Sequence, residues 1–275
     1  MALVKTFHLH LVSDATGETI GGVVRACLVQ FENVTTEEHH WFLVRSEAQI
    51  ARVIERAAKE RGIVLFTLVN PKLRKALEEG CQKWKLPCIP VLDPVMGALR
   101  GYLGIESQDQ PGRQHALDEK YYQRIDAMNF ALLHDDGQHV ENLENADIVL
   151  VGVSRTTKTP TCLYLANRGL RAANLPIVPG SPLFAAVEKA ERPLVVGLTM
   201  DPSRLAEARQ TRVPEQSGVS DYADFETVRE EVLQARRVFT KHGWPVIDVT
   251  RRSVEETASA IFQLYADRQK SGAHA

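Results

Sequence analysis

The sequence lacks any hydrophobic run long enough to cross a membrane. Its longest apolar segments, Ile63–Val69 and Ile148–Val153, have the length of a strand, whereas a membrane span needs roughly 18 apolar residues. The N-terminal segment also lacks the apolar core of a secretory signal, because His8, His10 and Asp14 interrupt it. These absences predict a cytoplasmic protein with no membrane partner.

Cysteine is scarce, and neither sign of charge is in excess. The four cysteines form no CxxC pair, as expected of thiols in a reducing cytosol. The 33 basic residues nearly balance the 35 acidic ones, so the net charge of −2 gives no reason to expect a nucleic-acid partner. The chain has 275 residues, of which 44% are apolar. That length and composition predict about two globular domains with full cores.

Strand and helix patterns alternate in both halves of the chain, which predicts parallel sheets covered by helices. The fold class is therefore α/β, with an N-terminal parallel-sheet domain at 1–104, a linker and connecting helix at 105–144, and a second α/β domain at 145–275. A helix is also expected from Phe225 to Lys241, and a capping box at 253–256 opens the last helix. The strand-like segments are residues 6–12, 41–44, 63–69, 88–92, 147–151, 176–178, 193–199 and 245–249.

The sharpest local signal is the stretch GVSRTTKT, which follows the apolar strand at 147–151. It agrees in kind with the phosphate-loop pattern GxxxxGK[ST] at seven of eight positions, and only Thr157 departs, since it stands where the inner glycine belongs. Backbone N–H groups at the start of the next helix would bind a phosphate, Lys158 would add a positive charge, and Thr159 would offer a hydroxyl to Mg²⁺. The residues of this predicted nucleotide site are Gly152, Val153, Ser154, Arg155, Thr156, Thr157, Lys158 and Thr159.

Two expectations about the conformation of this loop follow from its residue types. Thr157 is β-branched, and a positive φ is costly for such a residue, so we expect Thr157 to avoid that region. Lys158 is expected to face solvent, where a flexible cation could reach the terminal phosphates. The alternative to a phosphate site is an ordinary turn rich in serine and threonine, with a lysine on the surface.

Carboxylates at two other turns could act together with this loop. The sequence HDDG brings His134, Asp135 and Asp136 into one turn, where they could supply a general base or metal ligands. A solvated helix end is the alternative for that turn. Asp201 follows the strand at 193–199 and could organise Mg²⁺. Because it precedes a proline, Asp201 could instead be the N-cap of a helix.

Two further groups of polar residues lie in the N-terminal half. The turn SDATGET at 13–19 could hold an anion at the start of a helix, and helix capping would explain the same residues. Four histidines lie in or next to the first strands, at positions 8, 10, 39 and 40. Since no third ligand stands at metal-binding spacing, no zinc site is predicted from these histidines.

Four segments match a known family in order and spacing, over essentially the whole chain. They read LVSDATGET, PGRQHALDEKYYQRIDAMNFALLHDDGQ, ADIVLVGVSRTTKTPTCLYLANRGLRAANLPIVPG and VGLTMDPSRL. On these segments the chain resembles the bacterial pyruvate, phosphate dikinase regulatory proteins, a family with a sister branch that regulates phosphoenolpyruvate synthase. SDATGET and LVRSE are closer to the dikinase branch. The family usually has glycine or serine where this chain has Thr157.

The resemblance implies a phosphate-loop kinase-like C-terminal domain and a bifunctional enzyme. One activity would be an ADP-dependent serine/threonine kinase that phosphorylates an active-site threonine of the dikinase, its protein substrate, and so inactivates it. The other would use inorganic phosphate to remove that group as pyrophosphate. Mg²⁺ is expected as a cofactor, and the resemblance leaves open whether the protein forms a homodimer.

The resemblance also suggests roles for particular side chains. Lys158, Arg155 and the loop amides would neutralise the developing charge. Asp135 or Asp136, beside His134, would accept the threonine proton, and Asp201 is the competing candidate for that base. Thr159 and Asp201 would organise Mg²⁺. The alternatives are the same chemistry on phosphoenolpyruvate synthase, a phosphate-loop small-molecule kinase or NTPase, and a non-enzymatic nucleotide-sensing module.

Overall fold

The computed structural model describes residues 5–108, 110–111, 119–177, 183–211 and 221–272. The chain divides into two units, residues 1–116 and 117–275, and each unit is built on a four-stranded sheet whose strand pairs are all parallel. The α/β fold class is confirmed. None of the helices in the described ranges is both long and apolar enough to cross a membrane.

The first unit has the strand order β2-β1-β3-β4. Its elements are β1 (Lys5–Val12), α1 (Glu18–Leu28), β2 (Val34–Trp41), α2 (Glu47–Lys59), β3 (Gly62–Phe66), α3 (Pro71–Lys83), β4 (Cys88–Pro90) and α4 (Asp93–Leu103). Alternate residues of the central strand β1 enter different cores: Val12 lies in a cluster with residues of α2 and α3, and Leu11 lies in one with residues of α1. This alternation follows from the two-residue period of a strand.

The second unit has the strand order β6-β5-β7-β8. Its elements are α5 (Glu119–Leu133), β5 (Ile148–Gly152), α6 (Lys158–Asn167), β6 (Ala172–Pro176), α7 (Leu183–Lys189), β7 (Leu194–Thr199), α8 (Pro202–Gln210), α9 (Phe225–Lys241), β8 (Val246–Asp248) and α10 (Val254–Gly272). The helix at 225–241 and the capping box are confirmed, since Ser253 Oγ accepts from Glu256 N and Glu256 Oε2 accepts from Ser253 N.

The sheet of the second unit is packed on both faces. Every residue of β5 is buried. Ile148 and Leu150 share a core with α5, α6 and α10, whereas Val149 and Val151 share one with α7, α8 and α9. Helix α5 lies in the stretch expected to hold a linker and connecting helix, of which residues 109 and 112–118 lie outside the described residues. Its Ala127 and Ala131 are buried in the first of these two cores.

Two strand predictions are wrong in position, and both concern edge strands. The second strand runs over Val34–Trp41, not 41–44, because pairing with β1 places it there although its residues are mostly polar. The strand expected at 176–178 is instead β6, which ends at Pro176, and residue 178 lies outside the described residues. β2 is mostly exposed and therefore carries few apolar residues, whereas β6 is buried but consists largely of alanine and asparagine, so neither strand has a clear apolar pattern.

Candidate active site

The predicted phosphate loop connects β5 to α6 at the carboxyl edge of the second sheet. Gly152 ends β5, and α6 begins at Lys158. A Cβ at Gly152 would lie 2.6 Å from the carbonyl oxygen of Leu198 on the neighbouring strand β7, so a larger residue would push the two strands apart. The glycine that starts the loop is therefore required by close packing of the backbone.

The loop is held in a strained conformation. Arg155 has φ 74° and Thr157 has φ 57°, both in the left-handed region. The expectation that Thr157 avoids positive φ is therefore wrong. Local hydrogen bonds hold the turn, since Thr157 O accepts from Thr161 N at 3.1 Å and from Thr161 Oγ1 at 2.7 Å. Strain of this kind is typical of functional loops that the surrounding structure keeps in place.

Lys158 lies beneath the loop rather than on its surface. Only 5% of Lys158 is exposed, and its Nζ donates to Val153 O at 2.9 Å. The expectation that Lys158 faces solvent is wrong, because the side chain turns back to this carbonyl. Burial lowers the pKa of Lys158 to about 8, against the opposing effect of the carboxylates of Asp136 and Asp135.

The HDDG turn lies against the start of α6. Asp135 Oδ1 accepts from Thr159 Oγ1 at 2.9 Å and from Asn174 Nδ2 at 2.5 Å. The same Asn174 amide is 2.9 Å from Thr159 Oγ1 and 3.4 Å from Asp136 Oδ1. Asn174 itself is buried in β6. The fold thus joins two of the predicted signals, the carboxylate pair and the phosphate loop, through one buried amide.

Asp135 and Asp136 differ in how freely they could react. The carboxylate of Asp135 is occupied by the two short hydrogen bonds from Thr159 and Asn174. Asp136 is exposed and has φ 48°, and its one described hydrogen bond is the long contact from Asn174. Asp136 is therefore the carboxylate of this pair that is available to a substrate.

His134 stabilises the turn through its ring and its backbone. The imidazole stacks on Phe130 with ring centroids 3.8 Å apart, and its Nδ1 donates to Phe130 O at 2.9 Å. Its carbonyl oxygen accepts from Asn174 N at 3.0 Å. The buried Nε2 has no hydrogen-bond partner among the described residues. These contacts hold His134 in the turn, and its catalytic role stays a prediction.

A cleft of about 450 Å³ opens on the loop, a size suited to a small ligand. Five of the eight predicted loop residues line this cleft, whereas Gly152, Val153 and Thr156 do not, and the side chains of Val153 and Thr156 are buried. The residues that line the cleft are Asp136, Ser154, Arg155, Thr157, Lys158, Thr159, Pro160, Pro176, Met200, Ala208 and Thr211.

Asp201 acts as the N-cap of α8. Its Oδ1 accepts from Ser203 N at 3.0 Å and from Arg204 N at 3.2 Å. No described hydrogen bond joins Asp201 to the phosphate loop, although the preceding residue Met200 lines the cleft. Capping thus explains this carboxylate, and its assignment to Mg²⁺ stays a prediction.

Arg209 and Tyr222 hold the loop in place by hydrogen bonds to Ser154, and sequence reasoning missed both. Arg209 is 1% exposed, and its guanidinium donates to Glu231 Oε2 at 2.6 Å, to Tyr222 O at 3.0 Å and to Ser154 O at 3.4 Å. The Tyr222 hydroxyl lies 2.9 Å from Ser154 Oγ. A helix after Asp201 was considered only as an alternative to a metal-binding role, and nothing in the sequence marked Arg209. Asn174 could have been found as the one strongly polar residue in the strand AANLP.

The SDATGET turn belongs to the first unit and is held together internally. Asp14 is buried, and its Oδ2 accepts from Val69 N at 2.8 Å, which ties the end of β1 to the segment after β3. Ser13 Oγ accepts from Ala15 N at 3.2 Å. The N-cap of α1 is Gly17, with no side-chain cap. These contacts tie the turn to the sheet of the first unit, and its role as an anion site stays a prediction.

Comparison with known proteins gives one consistent family. A family model described as kinase/pyrophosphorylase matches residues 9–262. A protein of Paramagnetospirillum magneticum named pyruvate, phosphate dikinase regulatory protein is 57% identical over 264 residues, which cover 95% of this chain and 85% of the relative. Proteins of the same name from Rhodospirillum rubrum and Bradyrhizobium diazoefficiens are 52% and 51% identical. They cover 94% and 96% of this chain, and 95% and 96% of their own lengths.

Proposed function

Because the chain belongs to the kinase/pyrophosphorylase family, we propose that it reversibly phosphorylates a threonine of pyruvate, phosphate dikinase at the cleft on its phosphate loop. In the kinase direction the threonine oxygen attacks the β-phosphorus of ADP, AMP leaves and the hydroxyl proton is transferred to a base. In the other direction an oxygen of inorganic phosphate attacks the phosphothreonine phosphorus and forms pyrophosphate, the bond from phosphorus to the threonine oxygen breaks, and that oxygen takes up a proton. The observation that carries the proposal is that Lys158 and Asp136 line one cleft.

The start of α6 supports binding of the transferred phosphate. The N–H groups of Lys158 and Thr159 belong to the first turn of the helix, where they have no intrahelical acceptor, and Pro160 has no N–H to leave unsatisfied. A phosphate placed there accepts from these donors and gains from the helix dipole. Lys158 Nζ would then exchange its bond to Val153 O for one to a phosphate oxygen, which holds the ammonium in its charged form.

Asp136 is the proposed base. It is exposed to the cleft and weakly bonded, so it can approach a threonine hydroxyl, whereas Asp135 is engaged by Thr159 and Asn174. Proton removal matters most in the kinase direction, because inorganic phosphate already carries deprotonated oxygens at neutral pH. Asn174 is a positioning residue, since its amide holds the carboxylates of the turn beside Thr159.

The oxygen donors around Thr159 fit Mg²⁺. Asp135 Oδ1 and Thr159 Oγ1 lie 2.9 Å apart, and hard oxygen ligands of this kind, completed by water and phosphate, are those that Mg²⁺ prefers. When bound, Mg²⁺ would neutralise charge on the phosphate oxygens. Asp135 and Thr159 would hold the ion, and Asn174 would keep the two ligands together.

The test uses the full chain with ADP and the phosphohistidine form of the dikinase. Mass spectrometry should find phosphate on a dikinase threonine with release of AMP, and pyrophosphate should appear when inorganic phosphate is added to the phosphorylated product. Modification of phosphoenolpyruvate synthase instead of the dikinase would move the protein to the sister branch. Nucleotide turnover without any protein substrate would favour a small-molecule kinase or NTPase, and binding of ADP without AMP release would favour a sensor.

Asp136→Asn and Asp201→Asn form a matched pair for the base. Both changes remove a carboxylate but keep its size, and asparagine at position 201 can still cap α8. We expect Asp136→Asn to lose most of the kinase activity and Asp201→Asn to keep it. Equal loss of both activities in Asp201→Asn, with a higher Mg²⁺ requirement, would make Asp201 the metal-organising residue.

A further inference from the structure

Three histidines come together on adjacent strands of the first unit. His8 and His10 lie on β1, and His39 lies on β2 opposite His10 in the parallel register. The rings of His10 and His39 stack with centroids 4.5 Å apart, and the centroids of His8 and His39 are 5.3 Å apart. Strand pairing therefore gathers imidazoles that the sequence separates by about thirty positions.

A carboxylate completes this cluster. Glu60 directly follows α2, and its Oε2 lies 3.3 Å from His39 Nε2, which in turn lies 3.1 Å from His8 Nδ1. The three atoms all lie within 4.8 Å of one another. Tetrahedral ligand atoms at metal distances of about 2.0–2.1 Å are roughly 3.3 Å apart, so two of the three separations already suit one ion.

We propose that His8 Nδ1, His39 Nε2 and Glu60 Oε2 bind one Zn²⁺, with water as the fourth ligand. Two imidazoles and a carboxylate are a common donor set for zinc, and imidazole is not a ligand that Mg²⁺ prefers. The three side chains are 29%, 18% and 26% exposed, so the ion and its water can reach them from solvent. This site belongs to the first unit, whereas the phosphate loop belongs to the second.

Neighbouring groups already orient the ligands. Arg56 donates to both carboxylate oxygens of Glu60, and each oxygen carries a second lone pair for a metal. His10 stacks on His39, and its Nε2 donates to Glu60 O at 2.8 Å. Supporting contacts of this kind set the direction of metal ligands. Zinc here would join the polar edge strand β2 to β1 and to the end of α2.

Zinc binding can be measured on the full-length, tag-free chain after treatment with a chelator. Titration with ZnCl₂ by calorimetry, and metal analysis after desalting, should give about one Zn²⁺ per chain, whereas MgCl₂ should give none. Bound zinc at a hundredfold excess over its Kd should raise Tm by about 5 °C or more. The ligand variants are His39→Gln and Glu60→Gln. The matched control is His40→Gln, which changes the next residue of β2, an exposed histidine paired with Glu38.

The expected result is that both ligand variants bind zinc at least about tenfold more weakly than the wild type and that His40→Gln binds it normally. Circular dichroism of each variant without metal shows whether it is folded. If His39→Gln does not fold, Glu60→Gln, which changes a residue at a helix end, is the ligand variant used for the test. Wild-type protein that retains no zinc after desalting would overturn the proposal. A folded ligand variant that binds zinc as tightly as His40→Gln would overturn it as well.

Discussion

Replacing Thr157 with glycine is expected to make the protein more stable, because the native residue is strained in two ways. Its φ of 57° lies in the left-handed region, which costs a residue with a Cβ about 1–2 kcal/mol. Its Oγ1 is buried without a hydrogen-bond partner among the described residues, which costs about 1–3 kcal/mol. Glycine removes both costs and adds about 0.5–1 kcal/mol of chain entropy. Even the smallest of these costs leave a net gain of about 1 kcal/mol, so we expect Tm to rise by at least about 2–4 °C.

The assay is thermal and urea unfolding of the variant beside two controls. Thr157→Ala removes the hydroxyl but keeps the Cβ, so it isolates the cost of the buried hydroxyl from that of the backbone. Thr156→Gly makes the same change at a neighbour that does not have a positive φ and whose Oγ1 donates to Val153 O at 3.0 Å. That control should lose about 1 kcal/mol or more.

The order of stability among the wild type and the three variants tests whether Thr157 is strained. The structure requires Thr157→Gly to be the most stable, followed by Thr157→Ala, the wild type and Thr156→Gly. If Thr157→Gly instead loses as much stability as Thr156→Gly, the left-handed conformation is not present in solution. If alanine and glycine at 157 are equally stable, the hydroxyl alone accounts for the strain.

Four further predictions concern the cleft. Lys158→Met should lower both activities by at least about 10²-fold, since it removes a charge that stabilises the transition state. Burial lowers the folded-state pKa of Lys158 to about 8 from 10.5, so the unfolded chain binds more protons between these pH values. Wild-type stability should therefore rise with pH over that window, by up to about 3 kcal/mol. Urea unfolding at pH 7 and pH 10 should show this rise in the wild type and not in Lys158→Met. Asp136→Asn should lower the kinase by about 10²–10⁴-fold and the phosphorylase less, as initial rates of AMP and pyrophosphate release would show, and equal losses would remove the base from this turn. Asn174→Leu should lower kcat about tenfold or more with little change in the KM for ADP, because it frees the carboxylates from their position; unchanged kcat in a folded variant would contradict the positioning role.

The sequence alone was sufficient to predict those helices, strands and loops that form because of interactions between residues close together in the chain. The run of apolar residues at 148–151 requires a buried strand, and Gly152 and Lys158 mark the loop and helix that follow it. The helix at 225–241 was predicted to the residue from its one-sided apolar stripe and the glycine that follows it at position 243, and its N-cap Asp224 directly precedes it. Local propensity and periodicity act over a few residues, so they can be read directly from the sequence.

The conformations of two loop residues could not be predicted in the same way. Thr157 has a positive φ, and Lys158 is buried, although residue type argued against both. Each deviation is stabilised by contacts of the folded loop, the bonds to Thr157 O and the bond from Lys158 Nζ to Val153 O. Packing and hydrogen bonding outweigh intrinsic preferences that are worth only about 1–2 kcal/mol.

Only the tertiary structure decided which distant residues meet. Asp135 reaches Thr159 through Asn174 because β6 pairs beside β5 and the HDDG turn bonds to β6. His8, His39 and Glu60 meet because β2 pairs with β1 as an edge strand, although its polar residues predicted no strand there. Strand order and register depend on how whole sheets bury their helices, and no stretch of sequence shorter than the unit contains that information.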